Sequence, residues 1–119
     1  MKYLLLIYEN EAAASKLPEA EQGKIWNEYM VYTERIRKEG HYVAGEALQP
    51  IATATTVRVK NGKTVTTDGP FAETREQLGG FYLVEAKDLD EAIKLAVGIP
   101  AVRNGSIEVR PIMPTPPID

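Results

Sequence analysis

Cysteine is absent from this chain of 119 residues, and histidine occurs once. That removes disulfides, thiolate nucleophiles and cysteine-held metals, and it leaves no paired-histidine spacing for a zinc site. No metal and no cofactor is expected. Basic runs are missing too. The net charge is −3, so neither nucleic acid nor an anionic membrane is an expected partner. The longest N-terminal apolar run, Tyr3 to Tyr8, spans six residues. It is too short for a signal-peptide core or a membrane span. A cytoplasmic location is the resulting expectation.

What is present is an ordinary globular composition, 44% hydrophobic, of a length that suits one core. Residues 1–112 read as a single domain. Residues 113–119 read as a proline-rich tail, with extended, loosely packed chain expected from Pro111 onward.

Tyr3 to Tyr8 is apolar on both parities and predicts a first strand covered on both faces. Pro18 to Lys38 has helical spacing, with Ile25, Tyr29, Tyr32 or Thr33, and Ile36 in a stripe flanked by Trp26 and Met30. Gly40 suits its end. His41 to Ala47 predicts a strand. Thr53 to Lys60 and Lys63 to Thr67 flank Asn61-Gly62, a strong hairpin signal, because both turn residues tolerate positive φ. Gly80 to Glu85 predicts another strand. Asp88 and Glu91 have capping-box spacing for a second helix. Its expected buried face is Leu89, Ala92, Ile93, Ala96 and Val97. Ser106 to Ile112 closes the chain as a strand.

Setting the hairpin aside leaves strand–helix–strand twice. This is the ferredoxin-like split βαβ plan, class α+β, with a hairpin inserted at its middle. Right-handed crossovers put both helices on one face of the sheet. The other face, apolar in the first and fifth strands, then lacks a cover. A homodimer packed sheet against sheet is the expected answer.

The densest chemistry lies in Thr67-Asp68-Gly69-Pro70-Phe71-Ala72-Glu73-Thr74-Arg75-Glu76-Gln77-Leu78-Gly79-Gly80-Phe81-Tyr82. Asp68 can cap the turn through the N–H groups of Phe71 or Ala72, or it can act as a general acid or base facing a cleft. Arg75 can clamp an anion, or pair with Glu73, Glu76 or Asp68. Glu73 and Glu76 read as solvated residues of a short helical turn. Gly79-Gly80 reads as backbone freedom before a strand or as close approach by a partner subunit. Phe71 and Phe81 read as core. Tyr8, Glu9 and Glu46 stand at strand ends that can converge on one cleft with the motif loop. His41 can titrate near neutrality or can stabilise the end of the preceding helix. The candidate ligand-binding set is therefore Tyr8, Asp68, Arg75 and His41, with Asp68 the candidate catalytic group.

The stretch from Asp68 to Phe81 resembles the signature of the DGPF branch of the YCII-related family. Tyr3 to Tyr8, Ala44 to Pro50, Thr53 to Arg58 and Leu89 to Ala92 resemble that family as well. The resemblance implies a ferredoxin-like fold that dimerises into an α/β barrel. Family members are mostly of unknown function. Some relatives are proposed to be enzymes using a His–Asp pair, and genes of the branch often lie beside extracytoplasmic-function sigma factors. Asp68 matches the motif aspartate. The histidine expected in the first helix is missing, and Tyr29, Tyr32 and Thr33 stand there instead. Two functions stay open. One is a dimer binding a small polar or anionic ligand, or a regulatory partner, in a cleft around the motif loop. The other is a cofactor-free enzyme with Asp68 as acid or base and Arg75 orienting an anionic substrate.

Overall fold

A computed structural model describes residues 1–116 of the chain. The main sheet has four strands: β1 (Lys2–Glu9), β2 (Tyr42–Ala47), β5 (Gln77–Glu85) and β6 (Ser106–Pro111). Their order is β2-β5-β1-β6, and every pairing is antiparallel. Strands β3 (Thr55–Lys60) and β4 (Lys63–Asp68) form a separate two-stranded ribbon. The helices are α1 (Glu11–Ser15), α2 (Glu19–Lys38) and α3 (Leu89–Val97). This is the split βαβ plan with the expected inserted hairpin.

Local chemistry accounts for the element ends. Asn61 and Gly62 take φ of 52° and 76°, so the two-residue turn twists with its strands. At the end of α2, Gly40 adopts φ 80°, and the His41 N–H reaches the Ile36 carbonyl at 2.9 Å. Asp88 caps α3 by accepting the Glu91 N–H at 2.9 Å, while the Glu91 carboxylate accepts the Lys87 N–H. The short helix α1 is an addition to the expected elements. It is capped by Asn10, whose side chain accepts the Ala13 N–H.

Strand parity sets the core. Tyr3, Leu5 and Ile7 of β1 and Tyr82 and Val84 of β5 face the helices and are buried. Tyr32 and Ile36 of α2 and Ala92, Leu95 and Ala96 of α3 cover them, so both helices lie on one face. The opposite parity, Leu4, Leu6 and Tyr8 with Phe81 and Leu83, is half-buried and carries no helix among the described residues. Val84 belongs to the core rather than to that open face.

Several expectations are corrected. On α3, Leu89, Ile93 and Val97 are 49%, 44% and 62% exposed, because the helix seats the neighbouring Ala92–Leu95–Ala96 ridge on the sheet. Phe71 is 79% exposed and is not core. Residues 71–76 are irregular, with bends at 71–72 and 75–76 and no helical turn, and Glu76 is half-buried. β5 begins at Gln77, so Gly79 and Gly80 lie inside a strand. Gly79 is the extra residue of a bulge, since Ile7 pairs with Gly80 but Tyr8 pairs with Leu78. The close approach at Gly80 is to the chain's own β2: a Cβ there would sit 2.8 Å from the Glu46 carbonyl oxygen. Pro111 is still strand, paired with Tyr3 on the edge strand β6, where its missing N–H costs no ladder bond. The expected tail at 113–119 falls partly on residues 117–119, outside the described residues.

Candidate functional site

Two in-facing sheet positions below α2 are glycine, Gly45 and Gly80. Gly45 stands opposite Tyr82 and Gly80 opposite Ile7. The sheet therefore supplies no side chains there. A Cβ on Gly45 would meet the Tyr82 ring at 2.8 Å, so that glycine makes room for the ring. The first half of α2 roofs the gap instead of filling it. The result is an open cavity of about 300 Å³. Its roof is Trp26, Tyr29, Met30 and Thr33, which recur at one-turn spacing on α2. Its floor is Ile7, Gly80, Phe81 and Tyr82, and β2 adds Tyr42, Gly45, Glu46 and Ala47. The volume is at the small end of ligand sites and suits a single substituted ring.

The cavity is apolar with a few directed polar groups. Thr33 Oγ1 donates to the Tyr29 carbonyl at 2.8 Å and lies 2.7 Å from the Tyr82 hydroxyl. Thr33 has one hydroxyl proton, and the Tyr29 carbonyl takes it. Tyr82 is therefore the donor to Thr33, and its oxygen offers a guest only acceptor lone pairs. Tyr32 and Tyr42 hold the Tyr82 ring edge-on, at centroid distances of 5.3 and 6.4 Å. Tyr32 is tied in turn to the Leu95 carbonyl at 2.6 Å. Burial raises the affinity of Tyr82 for its proton and pushes Tyr29 up to about 12, with the Glu9 charge adding to the shift on Tyr29. Both phenols therefore stay protonated at ordinary pH.

Glu9 closes one end. It shares the in-facing parity of Tyr3, Leu5 and Ile7, so the sheet carries a carboxylate where the buried face meets the cavity. Burial raises its pKa above the usual glutamate value, and the neighbouring Glu76 charge adds to the rise. Glu76 is held by Ser106, whose hydroxyl donates to it at 2.8 Å. Below it, the Glu11 N–H donates to the Gln77 side chain, and the Glu11 carboxylate accepts the Ile51 N–H at 3.1 Å. The motif loop thus reaches the cavity through its last residues.

The strand-end convergence expected for Glu9 and Glu46 is present, since both line the cavity. Tyr8 has the other parity and lies on the uncovered sheet face. His41 sits at the far end of the sheet, with its Nδ1 2.8 Å from the Glu85 carbonyl and 4.0 Å from Glu91. Asp68 is the exposed last residue of β4, across from Thr55. Its turn is held by backbone instead: the Gly69 N–H donates to Ala54, and Thr56 donates to the Gly69 carbonyl. Arg75 is exposed, and among the described residues it forms no ion pair. These four residues do not meet in one cleft. Tyr29, Thr33, Tyr42 and Tyr82, which do meet, read in sequence as helix stripe and strand. The available signal was Glu9, a charge on the buried parity.

The sequence profile of the YCII-related domain matches residues 1–116. This chain belongs to the YCII-related family. A relative from Rhizobium meliloti (strain 1021), the uncharacterized protein R00369, is 35% identical over 114 residues, spanning 94% of this chain and 92% of its own. Among solved structures, the fold resembles the 5-chloro-2-hydroxyhydroquinone dehydrochlorinase TftG of Burkholderia phenoliruptrix, in complex with 2,5-dihydroxybenzoquinone. The TM-score is 0.56, with 13% identity, 95% coverage of this chain and 94% of that one. Identity that low shows a shared fold alone. Within this YCII-related chain, the described residues include no helix long and apolar enough to cross a membrane.

Proposed function

We propose that this YCII-related protein binds a small hydroxylated ring compound in the cavity beneath α2, and that it works as a dimer joined through the uncovered sheet faces. The observation that carries the reading is Glu9, an acidic group with a raised pKa at one end of a mostly apolar cavity, together with Tyr82, whose hydroxyl can only accept; Glu46, Tyr29, Thr33 and Tyr42 also line it. A ring hydroxyl donating to Tyr82 satisfies the one, and a second polar substituent reaches Glu9. A carboxyl group shifted upward also takes and returns protons more readily near neutral pH. Proton transfer to Glu9 without a cofactor is therefore the enzymatic form of the same reading. A dehydrochlorinase of the same fold holds 2,5-dihydroxybenzoquinone, which makes that compound the first ring to test.

A second reading keeps the motif turn as an anion site, because Asp68 and Arg75 are both exposed. One experiment separates the two. Thermal-shift and calorimetric titrations would compare 2,5-dihydroxybenzoquinone, hydroquinone and small aliphatic acids. Binding to the native fold raises its midpoint by mass action. Saturable ring binding that Glu9→Gln or Tyr82→Phe weakens, and that Asp68→Asn leaves alone, supports the cavity. Binding that only Asp68→Asn or Arg75→Ala removes supports the turn. Ring compounds that bind none of these proteins refute the proposal.

A further inference from the structure

The β3–β4 ribbon gathers its basic side chains on one face, and every residue of the two strands except Thr56 is exposed among the described residues. Register places Thr55, Val57 and Val59 on one face with Thr64, Thr66 and Asp68. Arg58, Lys60 and Lys63 lie on the other, together with Thr56, Val65 and Thr67. Val57 and Val59 are 61% and 69% exposed. A two-stranded ribbon with water on both sides is marginal and gains nothing from such sorting. The ribbon also stands away from the body. The Cα radius of gyration is 16.6 Å, against about 13.5 Å for a compact chain of this length.

The base of this arm is anchored. The Ile51 N–H is held by Glu11, the Leu48 N–H by the Gly79 carbonyl, and Gly69 by Ala54. Those bonds oppose folding back over its own cavity. The arm hangs between the end of β2 and the start of β5, the end of the sheet where the cavity opens. At that mouth Trp26 and Met30, one turn apart, are 62% and 57% exposed. Net charge attracts the arm to another copy at long range, the three basic residues lying on the face turned away from the valines. Arg58, Lys60 and Lys63 against Asp68 give the arm +2, which leaves −5 on the rest of a chain with net charge −3.

We infer that the arm of one copy lays its Val57–Val59 face across the Trp26–Met30 rim of a second copy and closes that copy's cavity. This inference rests on the dimer and the cavity proposed above. A six-residue strand spans about 20 Å; about 10 Å of it crosses the gap between packed sheets, and the remainder, with Val59 near the tip, extends past the partner's sheet toward the α2 rim. The site is then complete only in the dimer.

The absence of cysteine makes a clean test possible. Val59→Cys and Met30→Cys would be prepared singly, mixed and mildly oxidised. The expected product is a covalent dimer from the mixture and little from either protein alone. Trp26, the only tryptophan, gives an independent readout on a protein without added cysteines. Its emission should shift to shorter wavelength on dimerisation, and Val57→Asp with Val59→Asp should abolish that shift. Cross-linking of Val59→Cys with itself, an internal disulfide in the double variant, or no bond in the mixture each overturns the inference. With no bond, light scattering separates the causes: a persisting dimer leaves the sheet-to-sheet pairing standing, whereas a monomer at micromolar concentration removes both.

Discussion

Changing Tyr82 to Phe removes one oxygen from the cavity, and hydrogen-bond arithmetic sets the cost. In the native chain Tyr82 donates to Thr33 across 2.7 Å, and Thr33 donates to the Tyr29 carbonyl across 2.8 Å. Phenylalanine keeps the ring, its edge-on contacts with Tyr32 and Tyr42, and the Thr33–Tyr29 bond. One neutral hydrogen bond is lost and no donor is orphaned, so the expected cost is about 1 kcal/mol. For a domain of this size that is a fall of about 4 °C in Tm. Thr33→Val does more damage, because the Tyr82 hydroxyl then loses its acceptor while half enclosed, and about 1–3 kcal/mol is expected. After Thr33→Val the second change should cost little. A double-mutant cycle by urea unfolding should therefore return a coupling of about 1 kcal/mol. Coupling below ~0.3 kcal/mol would refute the donor assignment and, with it, the claim that Tyr82 only accepts from a guest. The same substitution should weaken binding of 2,5-dihydroxybenzoquinone about 5–10-fold, the equivalent of one hydrogen bond.

Three further outcomes are expected from the same geometry. The native Glu9 carboxyl holds its proton more tightly than the unfolded one. Stability should therefore fall as pH rises from the ordinary glutamate value of 4.5 through the raised native value, and level off above it; Glu9→Gln should flatten that slope in urea titrations across the mildly acidic range up to neutrality, and an unchanged slope would place its origin elsewhere. Gly80→Ala sets a Cβ 2.8 Å from the Glu46 carbonyl oxygen, a backbone atom with little room to move; a loss of about 1–3 kcal/mol is expected, and a neutral effect in thermal unfolding would show that β2 yields. Asp88→Ala deletes the α3 cap and should cost about 1 kcal/mol, with Asp88→Asn recovering most of it when both are compared by urea unfolding.

The fold was legible wherever a local rule decided it. Asn61-Gly62 named its turn, Asp88 named its cap, and the two strand–helix–strand runs named the topology. Leu89, Ile93 and Val97 misled because a nine-residue helix has two adjacent apolar ridges. Which ridge is seated depends on the sheet it meets. Phe71 misled because hydrophobicity alone does not say whether a loop returns to the core. The cavity was half legible. Glu9 and Glu46 were marked by their strand ends, but its tyrosines lie far apart in sequence and read as packing.

The apolar run of β1, the turn dipeptide and the helix caps are properties of a few neighbouring residues, so the order of letters alone settled the split βαβ plan. The cavity arises only when α2 is laid over Gly45 and Gly80, two gaps contributed by different strands. No single segment encodes that juxtaposition. The ionisation of Glu9 likewise depends on burial and on Glu76, a residue 67 positions away, and such a through-space field exists only once the chain has closed on itself.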